Sequence, residues 1–285
     1  MKQIGRREFI KYAAGTAGLL ALSKFAGAPL TFSSKAAAQA PVKTPGKTNS
    51  AADAAVADPN NKFAMVIDVG ACIGCRTCMW GCKDENNTPD SISPLWIEVF
   101  QLNLEGGVTA HPSPEDLKKG ATTSYTKSPL PGKWYLNVAC NHCSNPPCVK
   151  VCPTGATYKD PDGIVLMHYE RCIGCRLCVV ACPYSARRFN WVKPVVPADK
   201  INPLVEVRPI GVVEKCTFCS HRTRNGKLPR CVEVCPVRAR HFGNLNDPES
   251  EVSKLLEENL SFRLLEENNT EPNIFYITRG KKWTS

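Results

Sequence analysis

Sixteen cysteines fall into four groups of four, and none is left over. The groups are Cys72, Cys75, Cys78, Cys82; then Cys140, Cys143, Cys148, Cys152; then Cys172, Cys175, Cys178, Cys182; and Cys216, Cys219, Cys231, Cys235. A lone cysteine behaves as a small buried hydrophobe and constrains little. Four thiols packed into a stretch such as "CIGCRLCVVAC" aim several sulfurs from neighbouring loop positions at one point. Such a chain must fold around its cysteine loops. Leftover thiols would argue for redox sensing or intermolecular disulfides, and there are none.

Groups one and three have the spacing C-x2-C-x2-C-x3-C, and Pro183 completes the second of these runs. This is the run with which bacterial ferredoxins hold 4Fe–4S clusters. Group two loosens its third gap, Cys143 to Cys148, and group four stretches it, Cys219 to Cys231. The shared endings "CPTGA", "CPYSA" and "CPVRA" restore the likeness, whereas Lys83 follows Cys82 in group one. A local loop supplies three thiolates to one cubane, and in such runs the fourth cysteine ligates the other cluster of a pair. Four groups therefore predict four 4Fe–4S clusters in two pairs. Structural zinc is the first alternative, but it brings two C-x2-C pairs together without a tight third and fourth cysteine. A disulfide framework belongs to small secreted chains short of core. This chain is 43% hydrophobic over 285 residues.

The first 38 residues read as an address. "GRREFIK" places paired arginines before a modest Ala/Gly-rich apolar run that Ser23 and Lys24 interrupt, and "AAAQA" supplies small residues. This is the layout of a twin-arginine export signal, with cleavage expected after Ala38. A basic amphipathic helix at a membrane surface is the alternative. No run approaches the roughly 20 apolar residues of a spanning helix. The expected location is thus periplasmic, with membrane association through a partner or, alternatively, through an uncleaved signal. Export in the folded state suits a protein that receives its clusters in the cytoplasm.

The formal charge is +10. Part of it sits in the signal-like segment, on Lys2, Arg6, Arg7, Lys11, Lys24 and Lys35 against Glu8. The remainder offsets the negative charge of thiolate-held clusters, so no nucleic-acid partner is expected. There is also no Lys/Arg stripe interleaved with stacking aromatics. No Ser/His/Asp or metal–water constellation stands out, so the chain reads as a carrier, not catalytic on its own.

A flexible Ala/Pro/Asn-rich linker covers residues 39–61. The cysteine region follows over 62–243, with an insertion at 84–132 and a C-terminal extension at 244–285. Four β-prone runs, "FAMVIDVGAC", "KWYLNVAC", "GIVLMHYERC" and "GVVEKC", each lead into a cysteine group. The repeat unit reads as a strand, a cysteine loop and a short helix begun near the last cysteine. "LWIEVFQLNLE" and "NIFYI" read as strands, and residues 191–209 are too proline-rich for a helix interior. Ser250 is placed to cap a short helix. The expected fold is α+β, with two tandem ferredoxin-like modules, insertions and a C-terminal wrap. His142 and His221 read as ordinary loop residues. Arg76, Arg176, Lys83, Lys215 and Arg222 lie near ligands in sequence, as tuning charges or as solvated surface.

Four ferredoxin-type groups, the long gap before "CVEVCP" and the tail "LLEENNTEPNIFYI" resemble the four-cluster iron–sulfur subunits of complex iron–sulfur molybdoenzymes. Those include the electron-transfer subunits of dimethyl-sulfoxide, tetrathionate and polysulfide reductases. "ARRFNW" with "RPIGVVEKCTFC" is similar, among these, to the periplasmic subunit of the membrane complex associated with dissimilatory sulfite reductase. The resemblance covers about Lys62 to Ile277. It implies one cluster on Cys72, Cys75, Cys78 and Cys235, beside one on Cys216, Cys219, Cys231 and Cys82. It implies a second pair, on Cys140, Cys143, Cys148 and Cys182 and on Cys172, Cys175, Cys178 and Cys152. With Cys175 intact, it implies four cubanes where some nitrate-reductase relatives hold a 3Fe–4S cluster. It implies as partners an integral-membrane quinone-reacting subunit and a molybdopterin or cytochrome subunit. The insertion and the tail are the expected docking surfaces. A free periplasmic shuttle is the alternative.

Overall fold

A computed structural model describes residues 56–92, 95–103, 108–109 and 133–279. The signal-like segment, most of the linker and residues 110–132 of the insertion lie outside the described residues.

Each β-prone run forms a strand ahead of its cysteines: β1 (Phe63–Asp68), β4 (Lys133–Val138), β6 (Val165–Met167) and β8 (Val213–Glu214). β1 is an inner strand of a sheet ordered β10-β11-β1-β9, with β9 at Arg240–Asn244, β10 at Ser261–Phe262 and β11 at Ile274–Ile277. β9 runs antiparallel to it (Met65 opposite Phe242) and β11 parallel (Met65 opposite Ile274). Met65 and Ile67 enter the main core with Ile97, Tyr135, Phe218 and Tyr276. Val66 faces the other way, against Val252 and Leu255 of α6 (Glu251–Glu258). Burial on both faces explains why this run is continuously apolar instead of alternating. A second sheet, β3-β2-β4, contains β2 (Glu98–Asn103) and β3 (Val108–Thr109). Two two-stranded antiparallel sheets complete the set: β5 (Thr157–Lys159) with β6, and β7 (Arg188–Phe189) with β8.

The helices correct one expectation. They are α1 (Thr77–Glu85), α2 (Pro147–Lys150), α3 (Leu177–Val180), α4 (Ser220–Thr223) and α5 (Arg230–Glu233). α1, α2, α3 and α5 each carry the third cysteine of a group, and α2, α3 and α5 stop just before the last cysteine instead of starting there. Pro153, Pro183 and Pro236 follow those last cysteines. A proline has no N–H to donate and disfavours α geometry in the residue before it. Where Lys83 stands instead, α1 passes through Cys82 and runs on to Glu85. The alanines of the three "CP" endings, Ala156, Ala186 and Ala239, are buried as close packing requires.

α1 packs on α5, and α2 on α3, so groups one and four adjoin, as do groups two and three. The stretch 191–209 holds only a 3-10 turn, Ala198–Lys200. Ser250 occupies the N-cap of α6, but its hydroxyl makes no capping bond; it is buried against Gly243. The tail is core structure more than display: Ile274, Tyr276 and Ile277 are fully buried. The same holds for Leu95, Trp96, Ile97 and Val99 of the insertion. No helix among the described residues is long and apolar enough to cross a membrane.

Candidate metal centres

The sequence "CIGCR" occurs twice and folds the same way twice. Gly74 and Gly174 have φ of 70° and 68°, and Arg76 and Arg176 have φ of 60° and 62°. A Cβ at Gly74 would stand 2.3 Å from the Tyr135 ring, and one at Gly174 would stand 2.3 Å from the Gly211 carbonyl oxygen. Both the left-handed backbone and the close approach require glycine. The turn aims the flanking thiols inward.

Four thiol sites result. Site A is a cavity lined by Cys72, Cys75, Cys78 and Cys235. Site C is lined by Cys140, Cys143, Cys148 and Cys182, and site D by Cys152, Cys172, Cys175 and Cys178. At site B, the Asn86 amide reaches both Cys82 Sγ (3.7 Å) and Cys219 Sγ (3.6 Å). Cys216, Cys219 and Cys231 are the charge neighbours of Cys82 there. The spaces at A, C and D, taken with their solvent mouths, measure about 310, 320 and 290 Å³. All sixteen thiols are free. Among the described residues no three Cys, His, Asp or Glu side chains converge tightly enough for a single metal ion. The thiols ring a space instead.

The sites form a row. Cys231 of B is a charge neighbour of Cys78 in A, Cys140 of C is one of Cys216 in B, and Cys148 of C is one of Cys178 in D. Cys175 of site D is exposed; every other cysteine is buried or half-buried. Burial pushes the Cys78, Cys143 and Cys219 thiols up to about 12, aided by neighbouring thiols. It drives Cys82 and Cys216 upward as well. Cys152 differs: burial raises it, but Thr157 and Thr154 donors outweigh that and the net shift is downward. Thiols held protonated by burial must release protons to bind a metal.

Donors to sulfur surround the sites. Asn137 of β4 donates to Cys72 Sγ (3.2 Å), Ala239 N–H to Cys235 Sγ (3.3 Å) and Phe218 N–H to Cys216 Sγ (3.4 Å). The asparagines escape a reading of the sequence because Asn137 is remote from the first group along the chain and reaches it through the β2–β4 sheet. Of the five charges read from sequence, Arg76 lines site A and Arg176 lines site D. Arg176 also lies over Trp191, 4.7 Å from the ring centroid. Lys215 is buried and donates to the Val165 and Cys216 carbonyls. Lys83 pairs with Asp90, and Arg222 with Glu85 and Glu233.

His142 is buried, stacked on Phe218 (3.7 Å), and takes the Val165 N–H on Nδ1. Burial, with Lys215 and Arg187 nearby, holds its pKa well below the ordinary range, so the ring is neutral. His221 bonds Glu85 at 2.8 Å. Two further charges escape the sequence, Arg187 and Arg240, both buried and lining sites C and A. A signal for them exists: each stands five residues after the last cysteine of its group, in "CPYSAR" and "CPVRAR".

A family model described as "4Fe-4S dicluster domain" matches residues 133–201 and 202–245. The chain is 44% identical over 228 residues to a putative dimethyl sulfoxide reductase iron–sulfur subunit of Halobacterium salinarum, covering 78% of this chain and 83% of that one. It belongs to the iron–sulfur subunits of the complex iron–sulfur molybdoenzyme type. It is therefore a 4Fe–4S electron-transport subunit of an oxidoreductase, with a tandem dicluster domain of mixed helix and sheet. It is 40% identical over 252 residues to the menaquinone reductase iron–sulfur cluster-binding subunit of Nitratidesulfovibrio vulgaris (78% and 90% covered). It is 38% identical over 246 residues to an Hdr-like menaquinol oxidoreductase iron–sulfur subunit of Archaeoglobus fulgidus (77% and 84%).

Proposed function

We propose that this subunit relays single electrons along four 4Fe–4S clusters, one at each of sites A to D, between a membrane quinone-reacting subunit and a molybdopterin or cytochrome subunit. The observation that carries the reading is the row of four thiol tetrads, each with a thiol beside the next. The residues fit such clusters. Soft thiols are the ligands a cubane requires, and amide donors face the sulfurs. When bound, each cluster supplies reversible one-electron exchange. The chain's own part is to hold the clusters apart, exclude water and fix their surroundings. Groups one and four would form one ferredoxin-like module, and groups two and three the other, with the last cysteine of each group crossing to its partner's cluster.

Side-chain exposure supports a partner at site D. Ile173, Leu177, Val180, Trp191, Val192 and Ile210 are large apolar residues exposed around Cys175. They are brought together by the Arg176–Trp191 stack and the approach of Gly174 to Gly211. A contiguous apolar patch of this kind marks an interaction surface. Two relatives carry menaquinol or menaquinone in their names, which supports a quinone-reacting partner. The twin-arginine-like segment, residues 1–38, supports a periplasmic location. Purified protein is expected to hold about 16 iron and 16 labile sulfide per chain. At native expression it is expected to elute from detergent-solubilised membranes with an integral-membrane subunit. Stoichiometric zinc, or recovery of the chain alone from the periplasm, would contradict the proposal.

A further inference from the structure

Three buried cations occupy the three junctions of the row. Arg240, 3% exposed, lines site A, and its charge neighbours are Cys78 of A and Cys231 and Cys216 of B. Lys215, 1% exposed, adjoins Cys216 of B and donates to the carbonyl of Val165, which lines site C. Arg187, 3% exposed, lines site C and donates to Thr157 Oγ1 (3.1 Å) and Met167 Sδ (3.4 Å), both in the wall of site D.

The two arginines are also under-satisfied. Nε and Nη1 of Arg240 and Nη2 of Arg187 are buried with no hydrogen-bond partner in the protein. A buried guanidinium donor without an acceptor is costly, and neither arginine has a carboxylate partner among the described residues. The buried ion pairs lie elsewhere, as Arg208–Glu214 and Arg224–Asp162. The acceptors these donors lack are what a thiolate-held, negatively charged cluster presents.

We infer that Arg240, Lys215 and Arg187 are junction charges, each raising the reduction potentials of the two clusters it lies between. Each side chain forms no bond and gives up no proton. Its fixed positive charge favours the state that carries the one extra electron, and it screens neighbouring clusters from each other's negative charge. The effect is larger than for Lys83 or Arg222, because those charges are offset by carboxylate partners, Asp90 for Lys83 and Glu85 and Glu233 for Arg222, whereas buried unpaired charges are screened less. The inference rests on the four-cluster reading.

The test is a potentiometric titration of the whole protein, followed by electron paramagnetic resonance, in Arg240→Met, Lys215→Met and Arg187→Met. Signals are assigned to sites by their loss in Cys75→Ser, Cys219→Ser, Cys143→Ser and Cys175→Ser. The expected pattern overlaps: Arg240→Met lowers the potentials at A and B, Lys215→Met at B and C, and Arg187→Met at C and D, with the other sites unmoved. Arg187→Lys and Arg240→Lys are expected to restore potentials toward the parent's. If a methionine variant fails to retain iron while its lysine counterpart retains it, the requirement for charge is supported. Unmoved potentials, a uniform shift at all four sites, or loss of iron in the lysine variants too would overturn the inference. Absence of four signals in the parent would instead remove the four-cluster reading, and the inference with it.

Discussion

At the residue scale, the cysteine loops impose demands that ordinary side chains cannot meet. Gly163 has φ of 83° but open space where a Cβ would stand, whereas Gly174 combines a φ of 68° with the Gly211 carbonyl 2.3 Å away. Gly163→Ala should therefore cost only the left-handed strain, about 1 kcal/mol. Gly174→Ala adds a clash with backbone, so its cluster-loss midpoint on heating should fall well below that of Gly163→Ala. Equal midpoints would show that the loop yields. Asn137 gives a second expectation. Its amide bonds Cys72 Sγ from a buried position, and hydrogen bonds to cluster sulfur raise potential. Asn137→Leu should lower the potential at site A alone, read by redox titration; an unchanged value would remove the bond's role. The cysteines were legible because four thiols at fixed spacing have few other uses. Asn137 was not, because asparagine is common in loops and only the β2–β4 register brings it to the first group. Arg187 and Arg240 lie between these cases: the repeat "CPxxAR" was visible, but burial was not.

At the element scale, the strands were legible and the helices less so. Each β-prone run became a strand because its apolar residues fill the core on one or both faces. The helices are too short, mostly four residues, for any 3.6-residue periodicity to announce them. The ends of α2, α3 and α5 are set by the proline after the last cysteine. α1, which lacks it, extends far enough for Glu85 to bond His221 (2.8 Å), Arg222 (3.2 Å) and the Asn202 amide (3.1 Å). Lys83→Pro should end α1 early, at a cost of about 3 kcal/mol or more, and detach the stretch around Asn202. Limited proteolysis should then cut between residues 191 and 209 faster than in the parent. An unchanged cutting rate would mean that α1's last turn does not anchor that stretch. The Ser250 cap shows the opposite failure: the residue type and position were right, but close packing on Gly243 took the hydroxyl away from the helix.

At the scale of the whole molecule, the cysteine groups are interleaved and closed by the tail. β11 lies between β10 and β1. Tyr276 donates to the Asn137 carbonyl (2.8 Å), and Thr270 bonds the Tyr184 hydroxyl (2.5 Å) beside site C. A tail that pairs in parallel with the first strand cannot be foreseen from local pattern, since nothing in "NIFYI" specifies its partner. Ending the chain at Leu260 should therefore lower the iron content of the purified protein, whereas full iron would make the tail dispensable for the sites. We propose that the clusters are shared across the sequence, with Cys235 completing the site of Cys72, Cys75 and Cys78. The most direct measurement compares electron paramagnetic resonance spectra of reduced Cys235→Ser, Cys75→Ser and Cys219→Ser proteins. Cys235→Ser and Cys75→Ser should alter the same cluster signal, and Cys219→Ser a different one. A Cys235→Ser spectrum that matched Cys219→Ser, with the Cys75 signal intact, would contradict it.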